Sequence, residues 1–384
     1  MMPPDRAGMP ASALLGGLGA QAFLRRHWQK QPLLVRHALE GADRLFDRPT
    51  LIALACRDDV ESRVVVREGR RWSMTHGPFR RRDFVALGTR GWTLLVQGVN
   101  LFSDAADALL RRFAFLPYAR LDDLMVSYAV DGGGVGPHFD SYDVFLLQAS
   151  GRRRWRYGRQ QDLSLRPGLP VRILRRFSAK DDVVLGPGDM LYLPPQWAHD
   201  GIAVGECTTC SVGFRADSAQ ELATAFLDFL RDRLALDGRY ADPDLVATHA
   251  PAHIDRSMRR RVAAMLADVR WDAELVDEFL GTRLSEPKAH VFFERPSEPL
   301  TRSAFRRGIA RAGVVLDRRT QMLYDERRLY LNGSAWSLRS LDVEVVRELA
   351  DRRALGATCM AALASPTIDL LYDGYRNGYL APGS

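Results

Sequence analysis

Lysine is nearly missing from this chain. Of the 54 basic residues among 384, only Lys30, Lys180 and Lys288 are lysines. The net charge of +7 and the pI near 9.4 therefore rest on arginine. The arginines are spread along the sequence, often beside Asp or Glu, which reads as compositional bias; charge alone gives no nucleic-acid partner. Cysteine is scarce too. Cys56, Cys207, Cys210 and Cys359 are too few and too scattered for a disulfide framework, so free thiols are expected. The CTTC spacing at 207–210 lacks the second cysteine pair or nearby histidines that would complete a tetrahedral zinc site. No apolar run reaches the ~18 residues of a membrane span. In MMPPDRAGMPASALLGGLGA no basic segment precedes a long apolar stretch, so residues 1–20 are expected to be a loose lead-in and the cytoplasm is the expected compartment. Repeats and low-complexity tracts are absent.

What is there is globular: 46% hydrophobic and 26% charged residues, in a chain long enough for two or three domains of ~100–200 residues. The texture changes twice. Residues 1–217 carry short β-rich runs, among them TLLVQGVNLF, LMVSYAV, DVFLLQAS, RRRWRYG and CTTCSVGF. With few helices between them, they predict a double-sheet jelly roll, not a parallel α/β sheet. Residues 218–295 turn helical, with apolar residues at three- and four-residue spacing that a partner chain or neighbouring domain must cover. Residues 296–384 give a helix, short strands and further helices, a winged-helix-like order that does not itself imply DNA binding.

The chemistry concentrates at 121–158. Glycines 132, 133, 134 and 136 with Pro137 predict a loop, and a strand is expected after it. Alternation in that strand turns His138, Asp140 and Tyr142 to one side, with Phe139, Ser141 and Asp143 on the other. A lone HxD pair is a weak signal. In GPGDMLYLPPQWAHDG, however, a turn, a strand and two prolines lead to His199, 61 residues beyond His138 by subtraction, far enough for several strands to bring it back. Two imidazoles and a carboxylate form the facial set of non-haem iron(II), leaving positions for a 2-oxo acid and dioxygen. The alternatives are two hydrogen-bonded core histidines, or a zinc or manganese site without a 2-oxo acid.

A 2-oxoglutarate site also needs a cation for the distal carboxylate. In the run 151–157, Arg153 shares a strand face with Trp155 and Tyr157, so it is the arginine expected to enter the cavity. Ser127 and Ser211 are candidate hydroxyl helpers. Asp123, Met125 and Ser127 share a face at i, i+2 and i+4, and with Tyr142 opposite they would make a cage for a cationic side chain. A surface Asp among core residues is the alternative.

At GGGVGPHFDSYDVFLLQASGRRRWRYG, joined to PGDMLYLPPQWAHDG and SVGFR, the sequence closely resembles the bacterial ribosomal oxygenases of the JmjC, cupin-like class. FLRRHWQKQPLLVR, residues 23–36, is similar to that family's amino-terminal signature. The resemblance runs the full length. It implies an α+β multidomain fold: a double-stranded β-helix (jelly-roll or cupin, JmjC), then a helical dimerisation region giving a homodimer, then a winged-helix-like domain. It also implies iron(II) on His138, Asp140 and His199, 2-oxoglutarate on Arg153 and Ser127, and a substrate arginine in a pocket of Asp123, Met125 and Tyr142. The implied reaction is 3-hydroxylation of an arginine in large-subunit ribosomal protein sixteen. Histidine hydroxylation or N-methyl-lysine demethylation with the same cofactors, a metal-binding cupin without turnover, and a nucleic-acid-binding module remain alternatives.

Overall fold

A computed structural model describes residues 11–383. They fall into two compact units, one running to residue 216 with the short segment 289–293, the other comprising 217–288 and the chain from 294 onward. The expected lead-in lies partly on residues 1–10, outside the described residues; at Ala11–Leu14 the chain is already helical.

The first unit is built on nine strands: β1 (Leu33–Val35), β2 (Ser62–Glu68), β3 (Arg71–His76), β4 (Trp92–Val96), β5 (Leu121–Ala129), β6 (Val144–Gly158), β7 (Asp181–Leu185), β8 (Met190–Leu193) and β9 (Ala198–Phe214). They pair antiparallel in the order β1-β8-β6-β9-β5-β4-β2-β3, with β7 also on β6. Because β3, β5, β6 and β9 all line one cavity, the sheet curls over itself. This is the rolled antiparallel arrangement of the cupin class.

β6 joins into one strand two runs that the sequence presents as separate. The junction is irregular. Its register against β9 shifts between Gln148 and Ser150 and again between Ser150 and Arg152, with Gly151 at φ +61°. The shifts change the phase of alternation: Val144 and Leu146 line the cavity before them, Arg153 and Trp155 after. Helices α1 (Ala11–Leu14), α2 (Ala20–Arg26), α3 (Arg48–Ala55), α4 (Arg81–Val85) and α5 (Asp104–Arg111) belong to this unit, and α1, α2, α3 and α5 pack on the sheet's other face. Phe23 of α2 is fully buried, with Phe115, Phe145 and Tyr192 ring centroids at 6.0, 5.5 and 5.0 Å. Truncating such a residue costs roughly 3–5 kcal/mol.

In the second unit α6 (Ala219–Arg231), α7 (Arg256–Leu266) and α8 (Ala273–Ser285) start at polar caps: Ser218 reciprocally with Glu221, Asp255 and Asp272. Phe226 and Phe229 of α6 meet Phe279 of α8. Leu227, Val262 and Leu266 stay exposed. The remainder comprises α9 (Arg302–Ala312), β10 (Val314–Leu316), β11 (Met322–Tyr324), β12 (Arg328–Leu331), β13 (Ser334–Ser337), α10 (Val343–Arg352), β14 (Ala354–Leu355), α11 (Ala357–Met360), α12 (Ser365–Arg376) and β15 (Leu380–Pro382). The β11-β12-β13 meander forms the wing, and α8 presses Gly281 against the Tyr330 ring of β12, where any Cβ would collide.

Candidate metal and cosubstrate site

His138 does not sit in a strand. Residues 139–143 are extended loop and bend, and His138 itself makes a single bridge to His199 at the start of β9. The glycines explain why. The loop threads between β4 and β9, so close that a Cβ on Gly133 would strike the Trp92 carbonyl and one on Gly134 would lie 2.5 Å from the Gly201 carbonyl oxygen. The side chains nevertheless divide as alternation requires. His138, Asp140 and Tyr142 line the cavity, whereas Asp143 is wholly buried on the opposite side, accepting from the Tyr192 hydroxyl at 2.6 Å and Gln29 Nε2 at 3.0 Å.

The bridge fixes the two histidines backbone to backbone: His138 N–H donates to His199 O at 2.9 Å and His199 N–H to His138 O at 2.8 Å. Their rings stand 4.2 Å apart, and His199 Nε2 is 3.6 Å from Asp140 Oδ2. One ligand atom from each of His138, Asp140 and His199 falls within 4.8 Å of the others. Each imidazole has Nδ1 2.9 Å from a backbone carbonyl, Gly136 O for His138 and Trp197 O for His199. Nδ1 therefore carries the proton and donates, and Nε2 is left with its lone pair for a cation. Burial, then the neighbouring His138, pull the His199 imidazole down from 6.5 to about 4, against the opposing pull of Asp140 and the Trp197 carbonyl. It is neutral at neutral pH, the form that binds metal. Two imidazole nitrogens and one carboxylate on one side, open on the other, fit iron(II).

The cavity is about 410 Å³. Along β6 burial alternates: Arg153, Trp155 and Tyr157 are buried, while Arg152 and Arg154 are exposed. Arg153 is 5% exposed, and its Nε and Nη2 have no hydrogen-bond partner. A buried guanidinium with vacant donors suits an anion. Ser127 and Ser211 line the same cavity; Ser127 donates to Thr209 O at 3.3 Å, and Ser211 lies opposite Met125 in the β5–β9 register.

Farther along, Asp123 and Tyr142 converge over Gly213, where an added Cβ would lie 3.9 Å from both Asp123 Oδ1 and Tyr142 Cε2. Asp123 is fixed by donors that sequence reasoning missed, Gln97 Nε2 at 2.8 Å and Gly98 N–H at 3.0 Å, both to Oδ2. The signal available was one amide at the end of the apolar strand TLLVQ. Tyr142 keeps 39% of its surface open. Burial of its hydroxyl end, then Asp140 and Asp123, push the phenol well above its ordinary range. Arg63 of β2, also unforeseen, brings Nη2 to 3.9 Å from Met125 Sδ. Cys207 and Cys210, three apart on β9, are free thiols buried in separate apolar clusters.

A family model described as a JmjC domain matches residues 108–222, and one described as a ROXA-like winged helix matches residues 268–381. The ribosomal protein uL16 3-hydroxylase of Escherichia coli is 37% identical over 280 residues, 72% of this chain and 74% of that protein. A probable ribosomal oxygenase of Haemophilus influenzae is 32% identical over 93% of each chain. The structure of the E. coli ribosomal oxygenase YcfD in complex with cobalt and 2-oxoglutarate superposes with a TM-score of 0.79 at 31% identity, covering 94% of this chain and 98% of that one.

Proposed function

Since the chain belongs to the JmjC ribosomal oxygenases, iron(II)- and 2-oxoglutarate-dependent enzymes, we propose that it hydroxylates C3 of an arginine side chain in a large-subunit ribosomal protein. The observation that carries the choice of arginine is the convergence of a buried carboxylate and an open aromatic ring, Asp123 and Tyr142, over a residue without a side chain. A guanidinium is planar and cationic. It stacks on the ring while pairing with the carboxylate, a charge-assisted pairing that a neutral imidazole would not supply. The name of the E. coli relative, a ribosomal protein uL16 3-hydroxylase, supports a ribosomal-protein substrate and the 3-position.

The residues divide the work. His138, Asp140 and His199 would hold iron(II), Arg153 would clamp the distal carboxylate of 2-oxoglutarate, and Ser127 and Ser211 would supply hydroxyls beside it. Together with dioxygen, these cofactors supply the oxidant, 2-oxoglutarate leaving as succinate and carbon dioxide. Asp123, held by Gln97 and Gly98, anchors the guanidinium on the Tyr142 ring, and Met125 walls the aliphatic stem, so that reach sets which carbon is presented.

Incubation of full-length protein with ribosomal proteins, iron(II) and 2-oxoglutarate should add one oxygen to a single arginine, read by mass spectrometry of the peptides. Asp123→Ala should lower kcat/KM for that substrate about 100-fold, the order expected when a buried charge loses its partner. It should leave succinate formation without protein substrate unchanged. Oxidation of histidine instead, or an indifferent Asp123→Ala, would overturn the assignment. The exposed Leu227, Val262 and Leu266 support residues 218–295 as a dimerisation region, between an oxygenase domain at 1–217 and a winged-helix domain at 296–384. A ribosomal substrate supports a cytoplasmic location. No helix among the described residues is long and apolar enough to cross a membrane.

A further inference from the structure

We infer that Thr93 is a further protein ligand for the distal carboxylate of 2-oxoglutarate, donating its hydroxyl beside Arg153; this rests on the role proposed for Arg153. Thr93 lies in β4, its residue surface is 0% exposed, its side chain lines the cavity, and its Oγ1 has no hydrogen-bond partner. Buried hydroxyls are almost always satisfied, since the water given up on folding must be replaced. Arg153 has the same deficit in the same cavity.

Strand register relates the two. Thr93 pairs with Ala129, Ala129 with Cys207, and Arg153 with Ala203. Paired residues share a face of the sheet, and Ala129, Ala203 and Cys207 pack into one cluster. Thr93 and Arg153 thus flank a patch of small side chains. The neighbours of Thr93 are Leu94, Leu95 and Val96, all buried. Valine would suit such a strand as well as threonine in shape and β preference, so the hydroxyl is the feature that needs a partner. A carboxylate has about four acceptor positions, and a guanidinium fork takes two of them. The Ser127 hydroxyl proton already goes to Thr209 O at 3.3 Å, so even with Ser211 on the carboxylate one position remains for Thr93.

Calorimetric titration of the full-length, Mn(II)-loaded protein without dioxygen tests this, using 2-oxoglutarate and oxalate as probes. Oxalate keeps a metal-chelating end and lacks the distal carboxylate. Thr93→Val should weaken 2-oxoglutarate binding about tenfold, the order of a hydrogen bond to a charged group, with oxalate and Mn(II) affinities unchanged. Thr93→Ser should stay within about threefold of wild type, because it keeps the donor. Thr93→Ala provides the same comparison should valine disturb packing. Unchanged 2-oxoglutarate affinity in both Thr93→Val and Thr93→Ala, or a parallel loss of oxalate binding, would overturn the inference. Undiminished 2-oxoglutarate binding by Arg153→Met would instead show that the distal carboxylate is not at Arg153, a failure of the underlying reading and not of Thr93 alone.

Discussion

Replacing Arg153 with methionine should make the ligand-free protein more stable and the ligand-bound protein less so. Met keeps most of the aliphatic stem and removes a buried guanidinium whose Nε and Nη2 have no partner. Two orphan donors cost roughly 1–3 kcal/mol each. Against that, Arg153 lies 5.8 Å from the Trp155 ring centroid, a contact worth about 0.5–2 kcal/mol, and the shorter side chain loses some packing. A net gain of about 1–2 kcal/mol remains, which for a unit of this size is a rise in Tm of roughly 2–8 °C. With 2-oxoglutarate the sign reverses. If the lost carboxylate pairing weakens binding about 100-fold, a ligand concentration 100 times the wild-type Kd stabilises wild type by about 2.7 kcal/mol and the variant by only about 0.4 kcal/mol. Scanning calorimetry of the full chain with Mn(II), with and without 2-oxoglutarate, reads both arms, following the transition of the catalytic unit. A variant that melts lower without ligand, or that keeps the whole ligand-induced shift, would refute the view of Arg153 as a vacant anion clamp.

Three further perturbations follow from the geometry. His199→Ala should abolish turnover and weaken Mn(II) binding by more than about 100-fold, measured by titration calorimetry, since even partners one shell out are worth 10–100-fold. Gly134→Ala forces a Cβ to 2.5 Å from the Gly201 carbonyl; lower Tm and weaker Mn(II) binding are expected together, because the loop positions His138, and a neutral outcome would mean that the loop is not confined. For Asp189, burial alone would raise the carboxyl, but the Gly186 and His37 N–H groups and Arg36 outweigh it and hold it below 3.8. A depressed folded-state pKa stabilises fully above the unfolded value and is lost as pH falls through the folded one. The Tm of Asp189→Asn should therefore trail wild type above pH ~4 and converge with it as the pH falls below that; a gap that widens on acidification would contradict the sign.

The metal ligands and the inward arginine were legible in the sequence because each carries a local pattern: HxD after a glycine loop, His after a turn, strand and double proline, Arg153 in phase with Trp155. Thr93 and Gln97 were not. A polar residue at either end of TLLVQ looks like any strand position; what distinguishes Gln97 is Asp123 on the adjacent β5, and what distinguishes Thr93 is Arg153 on another strand of the same cavity. The strand expected at His138 was replaced by loop, since glycines that let the chain pass between β4 and β9 also deprive it of regular partners. The fusion of DVFLLQAS and RRRWRYG into β6 was hidden for a related reason: alternation breaks at the bulge near Gly151, and a phase break in sequence reads as two elements.

The bridge between the two ligand histidines has a consequence for how the protein handles its ion. Each histidine's peptide group holds the other's, and Gln196 N–H holds the Asp140 carbonyl, so the donor set is assembled by the backbone before any cation arrives, unlike a zinc finger whose fold awaits its metal. Chelation should then strip the centre while leaving the scaffold standing. Loss and recovery of iron become ordinary exchange at a ready-made seat, and an ill-suited divalent ion that settles there first would silence the protein without unfolding it.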